Sequence, residues 1–248
     1  MAVVYANSSD GSISSGTQNF WSQARDNSSG TVGNQTSTSY IFAVSTSRFG
    51  GRGGGNTYRC IRSYMWFDTS GITGTVSAAT IKLRGVSGAT DGNIIAVKST
   101  AFGGDGGTPL GSSDFDAMPG WTNGASAEGN VTKYSSPAIG AGMATTFDGT
   151  GYNDLASTSD LRSDMQNNDA VIICFMDYTY DYLNSAPTAN QTKEIGLYYT
   201  DYTGTSRDPY IDYTVATGYG NSVNGVASAN ISKINGIATA DIDKVNAI

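Results

Sequence analysis

Tyr58-Arg59-Cys60-Ile61-Arg62-Ser63-Tyr64-Met65-Trp66-Phe67 is the stretch on which the fold class turns. In an extended chain successive side chains point to opposite faces, so Ile61, Ser63, Met65 and Phe67 share one side and Cys60, Arg62, Tyr64 and Trp66 the other. Both sides carry bulk, which predicts a central strand. Downstream, past the turn Asp68-Thr69-Ser70-Gly71, residues Thr80 to Arg84 alternate cleanly, apolar at Ile81 and Leu83. Asp91-Gly92-Asn93 reads as a hairpin-type turn into a strand from Ile94 to Lys98. Val171 to Met176 is the most apolar run and reads as a core strand, and Lys193 to Thr200 and Pro209 to Val215 complete the sheets. Upstream lie Ala2 to Tyr5 and Ser39 to Val44, then the glycine run Gly50 to Asn56, a flexible loop or a place of close backbone approach.

The middle of the chain is less regular. Residues 103 to 168 are loop-rich, with weaker strands near Asn130 to Tyr134 and Ala144 to Phe147. One helix is predicted over about 159–168, with Ser159 as its N-cap and Leu161 and Met165 at i, i+4 spacing, plugging one end of a sandwich. Many short strands without alternating long helices point to an all-β, jelly-roll-type antiparallel sandwich over residues 1–216.

Composition agrees. The 248 residues include 32 Gly and 15 Tyr but only 14% charged residues, and of the 21 acids only Glu128 and Glu194 are glutamate. Aspartate and glycine serve turns, whereas helix interiors disfavour them. The net charge of −7 and the scattered basic residues exclude the electrostatic footprint of a nucleic-acid or anionic-membrane partner, and no apolar run is long enough to span a bilayer. Cys60 and Cys174 sit inside apolar runs and read as buried free thiols; a core of this size does not require a disulfide.

No catalytic constellation emerges. The chain has no His, which removes the commonest general base and the usual zinc ligand set, and no pair of carboxyls is singled out for glycosidase chemistry. No catalytic residue, cofactor or nucleotide site is expected. The Asp-rich stretches (Asp91, Asp105, Asp114 and Asp116; Asp177 and Asp181; Asp201, Asp208 and Asp212) read mainly as turn formers, while leaving room for a structural calcium ion. Arg207-Asp208-Pro209 reads as fixing a turn. Tyr178, Tyr180, Tyr182, Tyr198 and Tyr202, with other late tyrosines, are divided between core packing, a subunit interface and a glycan platform.

Composition shifts at Ala216 to Ser222, and an eleven-residue repeat follows: Val223 to Lys233, Ile234 to Lys244, then the truncated Val245 to Ile248. Ser228 and Thr239 are placed to cap about two turns of helix, Asn235-Gly236 to stop the first, and Val226-Ala227 and Ile237-Ala238 to form extended links. Helices this short are marginal alone. Residues 217–248 are therefore expected to form a docking tail, through Val223, Val226, Ile231, Ile234, Ile237, Ile242, Val245 and Ile248, against a neighbouring subunit rather than its own sandwich.

Two resemblances bear on function. Arg59 to Ile72 followed by Val76 to Leu83, and the closing Asp208-Pro209-Tyr210-Ile211-Asp212-Tyr213-Thr214-Val215, resemble the DNRLRE-type β-sandwich domains over about 58–216. That family has an Arg before Phe-Asp where this chain has Trp66. The resemblance implies a jelly-roll sandwich in adhesion, carbohydrate binding or particle architecture, without catalysis. The whole chain, including Met165 to Asp169, Tyr199 to Ser206 and the Asn-Gly-Val-Ala tail repeats, is similar in style to structural proteins of marine and cyanobacterial phages.

The N-terminus, Met1-Ala2-Val3-Val4-Tyr5-Ala6-Asn7, carries no export signal, although the composition suits an extracellular β protein. A virion protein, folded in the host cytoplasm and released by lysis, reconciles the two. The expectation is a non-enzymatic head-decoration, tail or fibre component, partnered by its own copies and other virion proteins. The alternatives are a module binding cell-surface polysaccharide and an extracellular filament or surface-layer subunit.

Overall fold

The computed structural model describes residues 2–33, 35–50, 55–135, 147–188 and 190–216 and, in the tail, residues 233–234 and 237–238. In chain order its elements are β1 (Ala2–Tyr5), β2 (Gly11–Ser14), α1 (Trp21–Arg25), β3 (Thr31–Gly33), β4 (Ser39–Gly50), β5 (Asn56–Asp68), β6 (Val76–Thr90) and β7 (Ile94–Lys98). They continue with β8 (Tyr152–Ala156), α2 (Ser159–Asn167), β9 (Ala170–Asp177), β10 (Gln191–Tyr198), β11 (Tyr210–Val215), β12 (Lys233–Ile234) and β13 (Ile237–Ala238). Every ladder is antiparallel. The protein is an all-β sandwich with little helix.

One sheet runs β1-β11-β6-β8, and the other gathers β3, β2, β5, β4 and β10, with β9 on β5 and β7 on β9. The long β6 belongs to both: residues 76–84 pair with β11 and β8, whereas Gly85 and Thr90 pair with β10. Ile81, Leu83, Leu155 and Ile211 from the first sheet and Met65, Phe67, Phe175 and Ile195 from the second meet in one core. Each such side chain, fully buried, contributes roughly 1.5–3 kcal/mol.

β5 is the centre of the molecule, as its two bulky faces predict. It pairs with β4 over residues 56–61, with β2 over 61–64 and with β9 over 63–68. Met65 and Phe67 enter the sandwich core, while Cys60 and Tyr64 enter a second core on the opposite face. β7 and β9 divide the same way: Ala96, Ile173 and Phe175 go to the first core, and Ile95, Val97, Ile172 and Cys174 to the second. The second core is closed by α1 and by the loop residues Phe102, Leu110, Phe115, Met118 and Val131. Gly106 lets this layer lie on Trp66: its φ is +82°, and a Cβ there would come within 2.7 Å of the indole ring.

Several expectations change. The turn 91–93 is not a hairpin, because β6 and β7 lie in different ladders; Asp91 instead accepts hydrogen bonds from the Glu194 amide and the Lys193 ammonium of β10. Residues Asn130 to Tyr134 form no strand, only a single bridge of Lys133 to Val97. β2, β3, β8 and α1 were too short or too polar to register in the pattern. Helix α2 is capped by Thr158, whose Oγ1 accepts the Leu161 amide, rather than by Ser159; Leu161 and Met165 are buried as expected, and α2 packs on β6 and β9. In the tail, Ile234 pairs with Ile237 and Lys233 with Ala238. Ile237-Ala238 is thus extended as expected, whereas Lys233-Ile234 is strand where the end of a helix was expected. Residues 51–54 of the glycine run, residues 144–146, and the helices expected after Ser228 and Thr239 lie outside the described residues.

Candidate functional site

The outer face of β1-β11-β6-β8 is set by the burial of its inner face. Register places Val4 opposite Ile211, Ile211 opposite Ile81 and Ile81 opposite Leu155, all on the core side. One position along, the row Tyr5, Tyr210, Lys82, Asp154 must face outward, as must Val3, Asp212, Thr80 and Ala156. Arg84 stands opposite Tyr152. The result is an outward surface with three tilted rings: Tyr5 and Tyr210 lie 5.6 Å apart at 52°, and Tyr152 and Tyr210 5.2 Å apart at 69°.

Charge on this face is largely satisfied within it. The Lys82 ammonium pairs with Asp154 and lies 3.7 Å from Asp212. The Arg84 guanidinium lies 5.7 Å over the Tyr152 ring and, among the described residues, has no carboxylate at ion-pair distance. The Tyr152 hydroxyl donates to the Asp208 carbonyl at 3.1 Å, tying the face to the loop before β11. β1 forms the rim: it ends the strand order, and Val3 is 50% and Tyr5 38% exposed.

The tyrosines singled out in the sequence separate into two groups. Tyr178, Tyr180 and Tyr182 occupy a helical turn after β9, whose Asp177 carboxylate accepts the Tyr180 amide. Tyr182 is fully buried, Tyr178 stacks on it at 5.7 Å, and the Tyr180 hydroxyl accepts a hydrogen bond from the Gln191 amide, so this group packs the second core. Tyr198 and Tyr202 instead flank the Arg207 guanidinium, at 4.8 and 4.5 Å from its centre. The structure does not bring the two groups into one platform. Tyr5, Tyr152 and Tyr210 were missed as a set because they come from three distant strands; the alternation of Tyr210, Asp212 and Thr214 was the signal available. The side chains of Val223, Val226, Ile231, Ile234, Ile237, Ile242, Val245 and Ile248 lie outside the described residues.

Two other places concentrate polar chemistry. A cleft of about 470 Å³ is lined by Lys98, Asp105, Tyr134, Asn168 and Asp169. At its side Asp164 accepts from the Lys98 ammonium at 2.8 Å and from the Tyr134 hydroxyl, a contact that fastens α2 to β7. Under the loop layer, Arg62 sits between the rings of Phe115 and Trp121, 4.2 and 4.3 Å from their centres, and Arg25 also lies over Trp121. Arg62 and Asp181 are wholly enclosed, and this arrangement is a clamp between layers rather than an open site. No family model matches the chain, and no curated protein matches it.

Proposed function

We propose that the chain is a non-enzymatic structural protein of a phage particle, which docks on its own copies and on other virion proteins through the outer face of β1-β11-β6-β8 and through its repeat tail. The observation that carries the reading is the character of that face: tilted rings, an exposed apolar rim at Val3 and Tyr5, and a Lys82 ammonium paired with Asp154. Interfaces favour tyrosine because it covers apolar area while keeping a polar tip. Among the described residues β1 pairs only with β11, so its other edge offers backbone groups for strand addition by a partner. The resemblance to DNRLRE-type sandwiches and to phage structural proteins points the same way.

The test is assembly. Sedimentation of the full chain should show a concentration-dependent oligomer, and Val3→Lys or Tyr210→Ala should shift it toward monomer while leaving the β-sheet circular dichroism intact. Removal of residues 217–248 tests the tail's share in the same way. A chain that stays monomeric at all concentrations and is missing from purified particles by mass spectrometry would sink the proposal.

A second reading, recognition of an acidic polysaccharide, draws on Arg84, a cation beside the Tyr152 ring with no carboxylate at ion-pair distance among the described residues. Against it stands the tilt of the rings, since sugar stacking favours rings lying in one plane. Binding to arrayed anionic glycans, lost in Arg84→Ala, would favour this reading, and a blank array would remove it.

A further inference from the structure

The cleft at the end of β7 is lined by Lys98, Asp105, Asn167, Asn168 and Asp169, with Ile172 adding apolar surface. Its volume of about 470 Å³ lies within the roughly 300–1,000 Å³ of small-molecule sites. None of these residues belongs to the outer face of β1-β11-β6-β8, so what the cleft does is independent of how that face assembles.

The walls are fixed from behind. Thr69 pins the turn between α2 and β9: its hydroxyl donates to the Asn168 carbonyl at 2.6 Å and its amide to the Asp169 carbonyl at 2.8 Å. Asp164 accepts from the Lys98 ammonium at 2.8 Å and from the Asn168 side-chain amide at 3.0 Å, which ties that turn to β7. The loop that carries Asp105 is held in a strained form. Phe102 has a φ of +56°, a left-handed backbone uncommon for a residue with a Cβ, and its ring is fully buried. Such strain persists only where the surroundings over-determine it, and it gathers at ligand clamps. Asp105 is oriented in turn by the Gly107 amide, which donates to its Oδ1 at 2.8 Å.

What remains unspent defines the ligand. Asn167 and Asn168 use their side-chain N–H groups on the Ser163 carbonyl and on Asp164, which leaves both side-chain oxygens as acceptors. Asp105 keeps Oδ2, and neither it nor Asp169 has an ion-pair partner among the described residues. Lys98 has donors left beyond the one given to Asp164. Ions of either sign suit this mixture poorly. An anion meets Asp105 and Asp169, an organic cation meets Lys98, and among the described residues no three ligating side chains stand together to hold a metal ion. A hydroxyl both donates and accepts, so a neutral molecule with several of them serves acids, amide oxygens and ammonium together.

We propose that this cleft binds a neutral saccharide, whose hydroxyls donate to Asp105, Asp169 and the two Asn oxygens and accept from Lys98, with a C–H face of the ring against Ile172.

The experiment records amide spectra of the full nitrogen-15-labelled chain during titration with methyl glycosides of glucose, galactose, mannose and N-acetylglucosamine, and with the matching linear trisaccharides. At least one probe should shift the amides of residues 167–170 and the Asn167 and Asn168 side chains saturably, with Kd on the order of 1 mM, the strength that a dozen non-hydrogen atoms support. A glycoside and its trisaccharide of equal affinity mark a site for one sugar unit, and a tighter trisaccharide marks one that follows a glycan chain. Asp169 is exposed, so Asp169→Ala should keep its Tm and weaken binding about tenfold, as should Asn168→Ala. Three results would overturn the proposal: no saturable shift at these residues with any probe, unchanged affinity in both variants, or tighter binding of spermidine or sulfate there than of every sugar.

Discussion

The Arg62 guanidinium grips the Asp181 carboxylate side-on, Nε to Oδ2 and Nη2 to Oδ1 both at 2.7 Å, with neither side chain exposed to solvent. The remaining donors of Arg62 reach the carbonyls of Phe115 and Arg25, so one side chain on the central strand fastens the covering loops and α1 to the sheet. Removing either partner breaks the two-pronged pairing inside the protein, where Asp181 would keep only the Arg25 Nε at 3.7 Å and the Cys60 thiol. Asp181→Asn or Arg62→Met should therefore lower stability by about 3–5 kcal/mol, while the double replacement Arg62→Met with Asp181→Leu recovers part of the loss. Urea unfolding of the three variants measures both effects.

Burial, the largest cause, pushes Asp177 up to about 7, and repulsion from Asp181 adds to it. In the unfolded chain the same group loses its proton near 3.8. Between pH 5 and 7 the folded state thus holds more protons than the unfolded one, and stability falls as pH rises through that window. Asp10 acts in the same direction. The urea midpoint should be higher at pH 5 than at pH 7.5, and Asp177→Asn, which can still accept the Tyr180 amide, should flatten part of that slope.

Cys60 and Cys174 are free and buried. Burial raises both thiols, that of Cys174 to about 12, and Asp181 raises Cys60 further. A thiol reagent needs the thiolate. The native protein should give essentially no reaction with an aromatic disulfide reagent at pH 8, and both thiols should react at once in denaturant.

Helix α2 separates capping from packing. Thr158→Ala removes the acceptor for the Leu161 amide and should cost about 1 kcal/mol. Leu161→Ala opens a cavity in the sandwich core beside Met165 and should cost about 2–5 kcal/mol. Thermal unfolding ranks the two, and Ser159→Ala, at the position that sequence favoured for the cap, should be nearly silent.

Alternation made β5, β7 and β9 readable, because each has two bulky faces and a covered strand leaves that mark whatever covers it. What covers the second face was not readable. Phe102, Leu110, Phe115 and Met118 are spaced without period in a loop layer, and periodicity is the signal on which sequence reading depends. Arg62 was visible as a charge on an inner face, yet its partner Asp181 lies far along the chain and was grouped with turn-forming aspartates. Asp10 is hidden for the opposite reason: a lone acid before a four-residue strand looks like a turn, and only the fold brings the Thr200 amide against it. The outward row of Tyr5, Tyr210 and Lys82 required the register of three strands at once.

The pairing of β1 with β11, Ala2 opposite Tyr213, has a consequence for synthesis. At about 5–20 residues per second, β11 leaves the ribosome on the order of 10–40 s after β1, so β1 waits unpaired while the rest of the sandwich forms. Tyr5 joins Tyr210 only when this ladder closes. A truncated or stalled chain can bury much of its core but cannot display the completed ring row. The outward row of Tyr5, Tyr210 and Lys82 therefore exists only in chains synthesised past β11.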